Sequence, residues 1–248
     1  MNLHGCTRSR FTNNHALIAP DSFVRSTLPG WDTTEVIILI SVEMGARFTQ
    51  YLAMMEPQGV AGPAPPGMER VIYVIDGEVT LTLGRDTEHR LTAGGYVFLP
   101  AGDDGRLQAA TAARLNVFEK RYVARSGVSA PRLVFGREQD VEGQPFLGDP
   151  DARLQTLLPQ EPSFDLAVNL FTYSPGATLP MVEVHVMEHG LLMLAGQGVY
   201  RLADSWYPVQ AGDVIWMASY CPQWFVAMGK EPARYLYYKD VNRLPGEG

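Results

Sequence analysis

The chain has 248 residues, of which 46% are hydrophobic and 19% charged, and its formal net charge is −7. This balance is that of a globular protein with one large core or two small ones, and it excludes the concentrated basic face that nucleic-acid binding needs. No apolar run approaches the roughly 20 residues of a membrane-spanning helix, so neither nucleic acid nor membrane is expected as a partner.

The N-terminal stretch MNLHGCTRSRFTNNH lacks the apolar centre of a secretory signal. Only two cysteines are present, Cys6 and Cys221, too few for a disulfide framework, and a reducing cytoplasm is the expected compartment. Further on, Glu69 to Gly105 reads as apolar strand, Gly turn, strand, polar turn, short strand, Ala-Gly, apolar strand. Glu188 to Gln223 repeats that order. Asp76-Gly77 matches Ala195-Gly196, and Ala93-Gly94 matches Ala211-Gly212, at turns where glycine supplies positive φ. Many short strands with closely spaced turns predict an all-β chain of two tandem sandwich or jelly-roll barrels. Tyr122 to Pro162 is less periodic and reads as an ordered linker, which places the domain boundary near residue 150. The N-terminal barrel with its arm then spans 1–150 and the C-terminal barrel 151–248.

The segment Gly176–Gly196, GATLPMVEVHVMEHGLLMLAG, holds Glu183, His185 and His189 among apolar residues, and two of the chain's five histidines lie there. On a strand Glu183 and His185 share a face, and His189 has the same parity. A carboxylate and two imidazoles make the ligand set of a divalent metal with open positions. Val182, Val184 and Val186 compete for the same core face, so alternation by itself leaves Glu183 either inward or exposed. Glu188 has the opposite parity, aligns with Glu69 through the repeat, and reads as a structural or surface carboxylate. Cys221, two residues before Gln223, reads as a small buried thiol. In the last strand, Tyr235, Tyr237 and Lys239 share one face and Leu236 and Tyr238 the other. Lys239 either enters the cavity or snorkels to solvent.

Gly176, Glu183, His185, His189 and Gly196, followed by Gly212 with Gln223 eleven residues later, resemble the two motifs of the cupin superfamily. The order Glu, His, His, Gln departs from the usual cupin set. Together with GQGVYRL (Gly196 to Leu202) and YLYYKDVNR (Tyr235 to Arg243), it resembles the (S)-ureidoglycine aminohydrolases, a bicupin family of purine catabolism. The resemblance runs from NHALIAPDSFVRSTLPGW to KDVNR, nearly the whole chain. It implies two cupin barrels and metal ligation by Glu183, His185, His189 and Gln223. It also implies an inward Lys239 with Tyr235 in acid/base roles, and Tyr200 with Gln223 as substrate contacts. A carboxylate, two imidazoles and an amide oxygen suit Mn²⁺ better than Zn²⁺, and one ion per chain is expected in the C-terminal barrel.

In the first barrel the corresponding positions fall near Ala64, Pro66, Arg70 and Gly105, which ligate no transition metal. The implied reaction is hydrolytic release of ammonia from (S)-ureidoglycine to give (S)-ureidoglycolate. Two His and a carboxylate would also serve an Fe(II) dioxygenase, and a non-enzymatic binding protein is the remaining alternative. Open sheet faces predict a homo-oligomer, with the arm Phe11 to Trp31 as the crossing segment.

Overall fold

The computed structural model describes residues 6–84 and 87–243. Among them, regular structure is strand, interrupted only by three single turns of 3-10 helix at Pro20–Ser22, Val42–Met44 and Glu138–Asp140. No helix among the described residues is long and apolar enough to cross a membrane.

The chain divides into two compact units. One comprises Val24–Glu142 with Leu157–Asp165; the other comprises the arm through Phe23, Gly143–Thr156, and the chain from Leu166 onward. In the first unit, nine strands form one sheet whose centre is Met68–Asp76, Ala113–Arg121 and Thr49–Ala61. Its core gathers Val36, Ile72, Val97, Leu115 and Val117, all fully buried or nearly so. Gly95–Leu99 is buried along its whole length and therefore reads as continuous apolar sequence rather than as an alternation.

In the second unit an eight-stranded sheet runs, in spatial order, from the arm strands Arg10–Phe11 and His15–Ile18 through Val214–Met217, His189–Ala195, Ala233–Asp240 and Leu166–Tyr173 to the hairpin Asp149–Thr156 and Gln144–Phe146. A three-stranded sheet of Ser205–Gln210, Gln197–Leu202 and Gln223–Met228 faces it. Residues of both sheets, among them Tyr173, Leu191, Leu202, Phe225 and Tyr235, share one core. Gln197–Leu202 and Gln223–Met228 alternate between buried and more exposed positions, the mark of sheets with one solvated face.

The duplicated turns are sterically dictated. Gly77 and Gly196 sit at φ +80 and +72, and a Cβ there would lie 2.2 Å from the Ala112 carbonyl and 2.4 Å from that of Pro232. Each turn approaches the start of the corresponding strand in its own unit, at Ala113 and Ala233. Only glycine satisfies both the φ and the close approach.

Two expectations about organisation change. The single boundary near residue 150, with the arm in the N-terminal barrel, gives way to an interleaved division in which the arm and Gly143–Thr156 join the second unit. The reason is strand pairing: His15–Ile18, buried throughout, pairs antiparallel with Val214–Met217, with Ala16 opposite Trp216. Arg8 ties the arm down by two bonds to the buried Asp213 carboxylate, 2.7 and 2.6 Å. The arm therefore caps a sheet edge of the second unit.

Candidate metal and substrate site

The second barrel encloses a cavity of about 180 Å³. Glu183, His185, His189, Tyr200, Gln223, Tyr235 and Lys239 all line it, so every residue singled out from the sequence reaches this one space. They arrive by different routes. His189 opens the strand His189–Ala195, directly opposite Lys239 in register. Gln223 opens the strand Gln223–Met228.

Glu183 and His185 do not lie on a strand, as the alternation had predicted. After Gly176 at φ +86, the chain around them is an extended loop. It is held by a bridge in which the Glu183 N–H donates to the Gln223 carbonyl (2.8 Å) and the Gln223 N–H to the Glu183 carbonyl (3.0 Å), and by the Tyr220 N–H, which donates to the His185 carbonyl (2.8 Å). Val182 and Val184 are 39% and 56% exposed, so the apolar half of the alternation points outward and the polar half into the barrel.

The two imidazoles meet through Nε2 atoms 3.2 Å apart. Each ring is anchored through its other nitrogen, His185 Nδ1 at 3.1 Å from the Met187 carbonyl and His189 Nδ1 at 3.1 Å from that of Tyr238. Carbonyls accept only, so each Nδ1 carries the hydrogen. Burial, helped by His185 and Lys239, depresses the His189 pKa to about 3, which keeps that ring neutral. The neutral His189 ring leaves its Nε2 lone pair facing His185 Nε2, where a shared cation would join the two rings. Nδ1-anchored, Nε2-exposed imidazoles are the form in which histidine binds metal.

The Gln223 amide lies 2.9 Å from His185 Nε2. A half-turn of that amide presents its oxygen to the same point. Glu183 is drawn in less tightly. Burial raises its pKa, while the charges of His185 and Lys239 pull it down. Among the described residues, no three His, Cys, Asp or Glu side chains close into a metal-holding group. The structure thus brings His185, His189 and Gln223 together and leaves the carboxylate on the cavity wall. The nitrogen and amide donors fit a divalent ion.

On the same wall, burial lowers the Lys239 pKa, opposed by Glu183 and Asp240. Tyr235 Oη lies 3.0 Å from Tyr173 Oη, and Tyr200 is a further hydrogen-bond partner of Tyr235. Burial raises all three phenols, so they remain protonated.

Several neighbours escaped the sequence reading. Phe146 and Leu154 line the cavity from the hairpin that had read as linker, and Phe146 packs edge-on against Phe171 at 4.9 Å. Asn169, buried within LAVNLFTY, was legible as a polar residue interrupting an apolar strand. Glu188 is not at the surface: it is buried and accepts the Trp216 indole N–H at 2.8 Å. Cys221 belongs to the core, with its thiol against the Pro222 carbonyl at 3.7 Å.

Residues 169–238 match the family described as cupin domain, and residues 44–122 match the EutQ-like cupin domain. The chain is 44% identical to the (S)-ureidoglycine aminohydrolase of Arabidopsis thaliana over 98% of its own length and 81% of the relative's. It is 36% identical to the (S)-ureidoglycine aminohydrolase of Escherichia coli K12, covering 93% of this chain and 89% of that one. The crystal structure of protein Ylba from E. coli superposes with a TM-score of 0.85 at 33% identity, covering 96% of this chain and 95% of that one. With two cupin units, a shared fold and this identity over nearly its full length, the chain belongs to the (S)-ureidoglycine aminohydrolase family.

Proposed function

We propose that this protein hydrolyses (S)-ureidoglycine to (S)-ureidoglycolate and ammonia in allantoin degradation, at the cavity of the second barrel. The observation that carries this is the 36–44% identity, over nearly the whole chain, to proteins named for that activity. The chemistry of the cavity accords with it. Glu183, His185, His189 and Gln223 would hold one Mn²⁺ per chain, as a carboxylate, two imidazoles and an amide oxygen suit that ion. When bound, the ion supplies Lewis acidity and a point of chelation for substrate.

The chain's own residues do the rest. The apolar wall of Phe146, Leu154 and Phe171 keeps bulk water from the reacting carbon. Tyr200 and Gln223 contact the substrate, and Tyr235 fixes the hydroxyl network behind it. Lys239 Nζ, whose ammonium form is destabilised by burial, moves the proton between water and the departing nitrogen. One water enters and one ammonia leaves, so the reaction balances without a redox partner.

Metal analysis of the purified protein, followed by ammonia release from ureidoglycine generated in situ, tests the reading. Manganese near one per chain with stereospecific ammonia release is expected; metal-loaded protein that releases none would overturn it.

A homo-oligomer is part of the same reading, supported by the exposed apolar side chains of Met181, Val184 and Tyr220 beside the site loops. A monomer in light scattering at micromolar concentration would refute it. A reducing, cytoplasmic setting accords with two cysteines that are both free.

A further inference from the structure

The cavity is lined by a third phenol, beside Tyr200 and Tyr235, that the proposed reaction leaves without a task. Tyr237 lies on the cavity face of Ala233–Asp240, between Tyr235 and Lys239, and is 9% exposed. Its ring meets that of His189 edge-on at 5.4 Å and stacks on Phe171 at 5.9 Å with planes 17° apart. The ring is thus fixed from two sides.

In the neighbouring strand, Asn169 stands directly opposite in register, itself 3% exposed, and serves as a hydrogen-bond partner of the phenol. The Asn169 amide carries two N–H donors, one of which can be given to the phenol oxygen of the residue paired with it. The Tyr237 O–H hydrogen is then left for an acceptor in the cavity.

The duplication supplies an independent observation. Ile72 lies opposite Val117, and Val117 opposite Tyr51, in the first barrel; Leu191 lies opposite Tyr237, and Tyr237 opposite Asn169, in the second. The barrel that lacks ligands therefore has valine where the ligand-bearing barrel has this phenol. A buried hydroxyl in place of a valine is costly unless it has a partner. Asn169 satisfies the oxygen and leaves the hydrogen.

The acceptor follows from what the wall lacks. Lys239 is the one lysine or arginine among the described residues lining the cavity, so an anionic substrate meets no guanidinium fork there. We infer that Tyr237 is a substrate-binding residue that donates its hydroxyl hydrogen to the substrate carboxylate, with Asn169 as the positioning residue that aims it. The inference rests on the ureidoglycine reading and deepens it by naming the contact that distinguishes an α-carboxylate from a plain urea derivative.

The test uses full-length, metal-loaded protein and two probes, (S)-ureidoglycolate and hydroxymethylurea, which keeps the ureido and hydroxyl groups and lacks the carboxylate. Tyr237→Phe removes one oxygen and preserves the ring packing. It should retain bound metal and weaken ureidoglycolate about 10- to 100-fold in calorimetry, the loss expected for one hydrogen bond to an anion. Hydroxymethylurea binding should be unchanged. In steady-state ammonia release the same variant should raise KM more than it lowers kcat.

Asn169→Ala should weaken ureidoglycolate in the same direction and add almost nothing in the Tyr237→Phe background, because it acts through the phenol. Additive losses would return Asn169 to a purely structural role and remove it from the inference. Equal losses on both probes would move the contact to the ureido end, and unchanged ureidoglycolate affinity in Tyr237→Phe would remove Tyr237 from the binding site. Failure of the underlying function would look different: wild-type protein would release no ammonia from ureidoglycine.

Discussion

The two barrels place different chemistry on corresponding positions of one backbone pattern. Arg70 faces Glu119 across the strand pair of the first barrel, and His189 faces Lys239 across the matching pair of the second. Arg70 Nε bonds Glu119 at 2.7 Å, Tyr51 donates to the same carboxylate at 3.0 Å, and Arg70 Nη1 reaches the Gly62 carbonyl at 2.7 Å. The Trp31 ring lies 5.5 Å from the guanidinium. Charge and hydrogen-bonding capacity are satisfied internally.

His189 and Lys239 are two bases that cannot neutralise each other, and burial disfavours the charged form of both. Leu115 and Val117 fill the first barrel where Tyr235 and Tyr237 line the second. The difference teaches that a site arises here by replacing a closed ion pair with groups that need a third participant.

That comparison can be broken most severely at the imidazoles. His185→Ala or His189→Ala should lower bound manganese about tenfold or more and abolish ammonia release, while circular dichroism retains the all-β signal. A variant with full metal and full activity would remove that histidine from the site. Next in size, Lys239→Met should keep metal occupancy while turnover falls about 10²–10⁴-fold. Near-normal rates would return Lys239 to a structural role.

In the first barrel the effect should be on stability alone. Glu119→Ala strands a buried guanidinium and should cost about 3–5 kcal/mol in denaturant unfolding, with metal content per folded chain unchanged. If metal fell in parallel, the assignment of the ion to the second barrel would need revision.

A pH experiment sharpens the contrast further. The folded-state pKa of His189 lies near 3, below its ordinary 6.5, so the unfolded chain binds the proton more tightly. Its contribution to stability is therefore fully present above about 6.5 and is lost progressively as pH falls toward 3. Metal-free protein should lose unfolding free energy on acidification through that window, and His189→Gln should flatten the profile. An unchanged profile would mean that the ring takes up its proton without leaving its pocket.

The smallest effect is expected at the arm. Arg8→Ala removes the two bonds to buried Asp213, whose carboxylate keeps the Gln210 N–H at 2.9 Å. A loss of about 1–3 kcal/mol in denaturant unfolding is expected. No change would show that solvent replaces the guanidinium.

Much of this was legible in the chain itself. Period-two alternation, the paired Gly turns and the spacing of Glu183, His185, His189 and Gln223 depend only on local backbone geometry, and they determined an all-β duplication with its polar cluster in the second half. The same reasoning failed where pairing partners are remote. A strand's sequence does not state which edge it will cover, so the arm was assigned to the wrong barrel, and the hairpin Gln144–Phe146 and Asp149–Thr156 read as linker. Local alternation also could not tell which face of Met181–Val186 is inside, because valine tolerates exposure whereas a buried carboxylate needs compensation. Only the tertiary structure decided that Val182 and Val184 face out, that Glu188 and Cys221 are buried away from the cavity, and that Phe146 and Leu154 help to line it. Burial and hydrogen-bond partnership are properties of what the rest of the fold places nearby, and no window of sequence contains them.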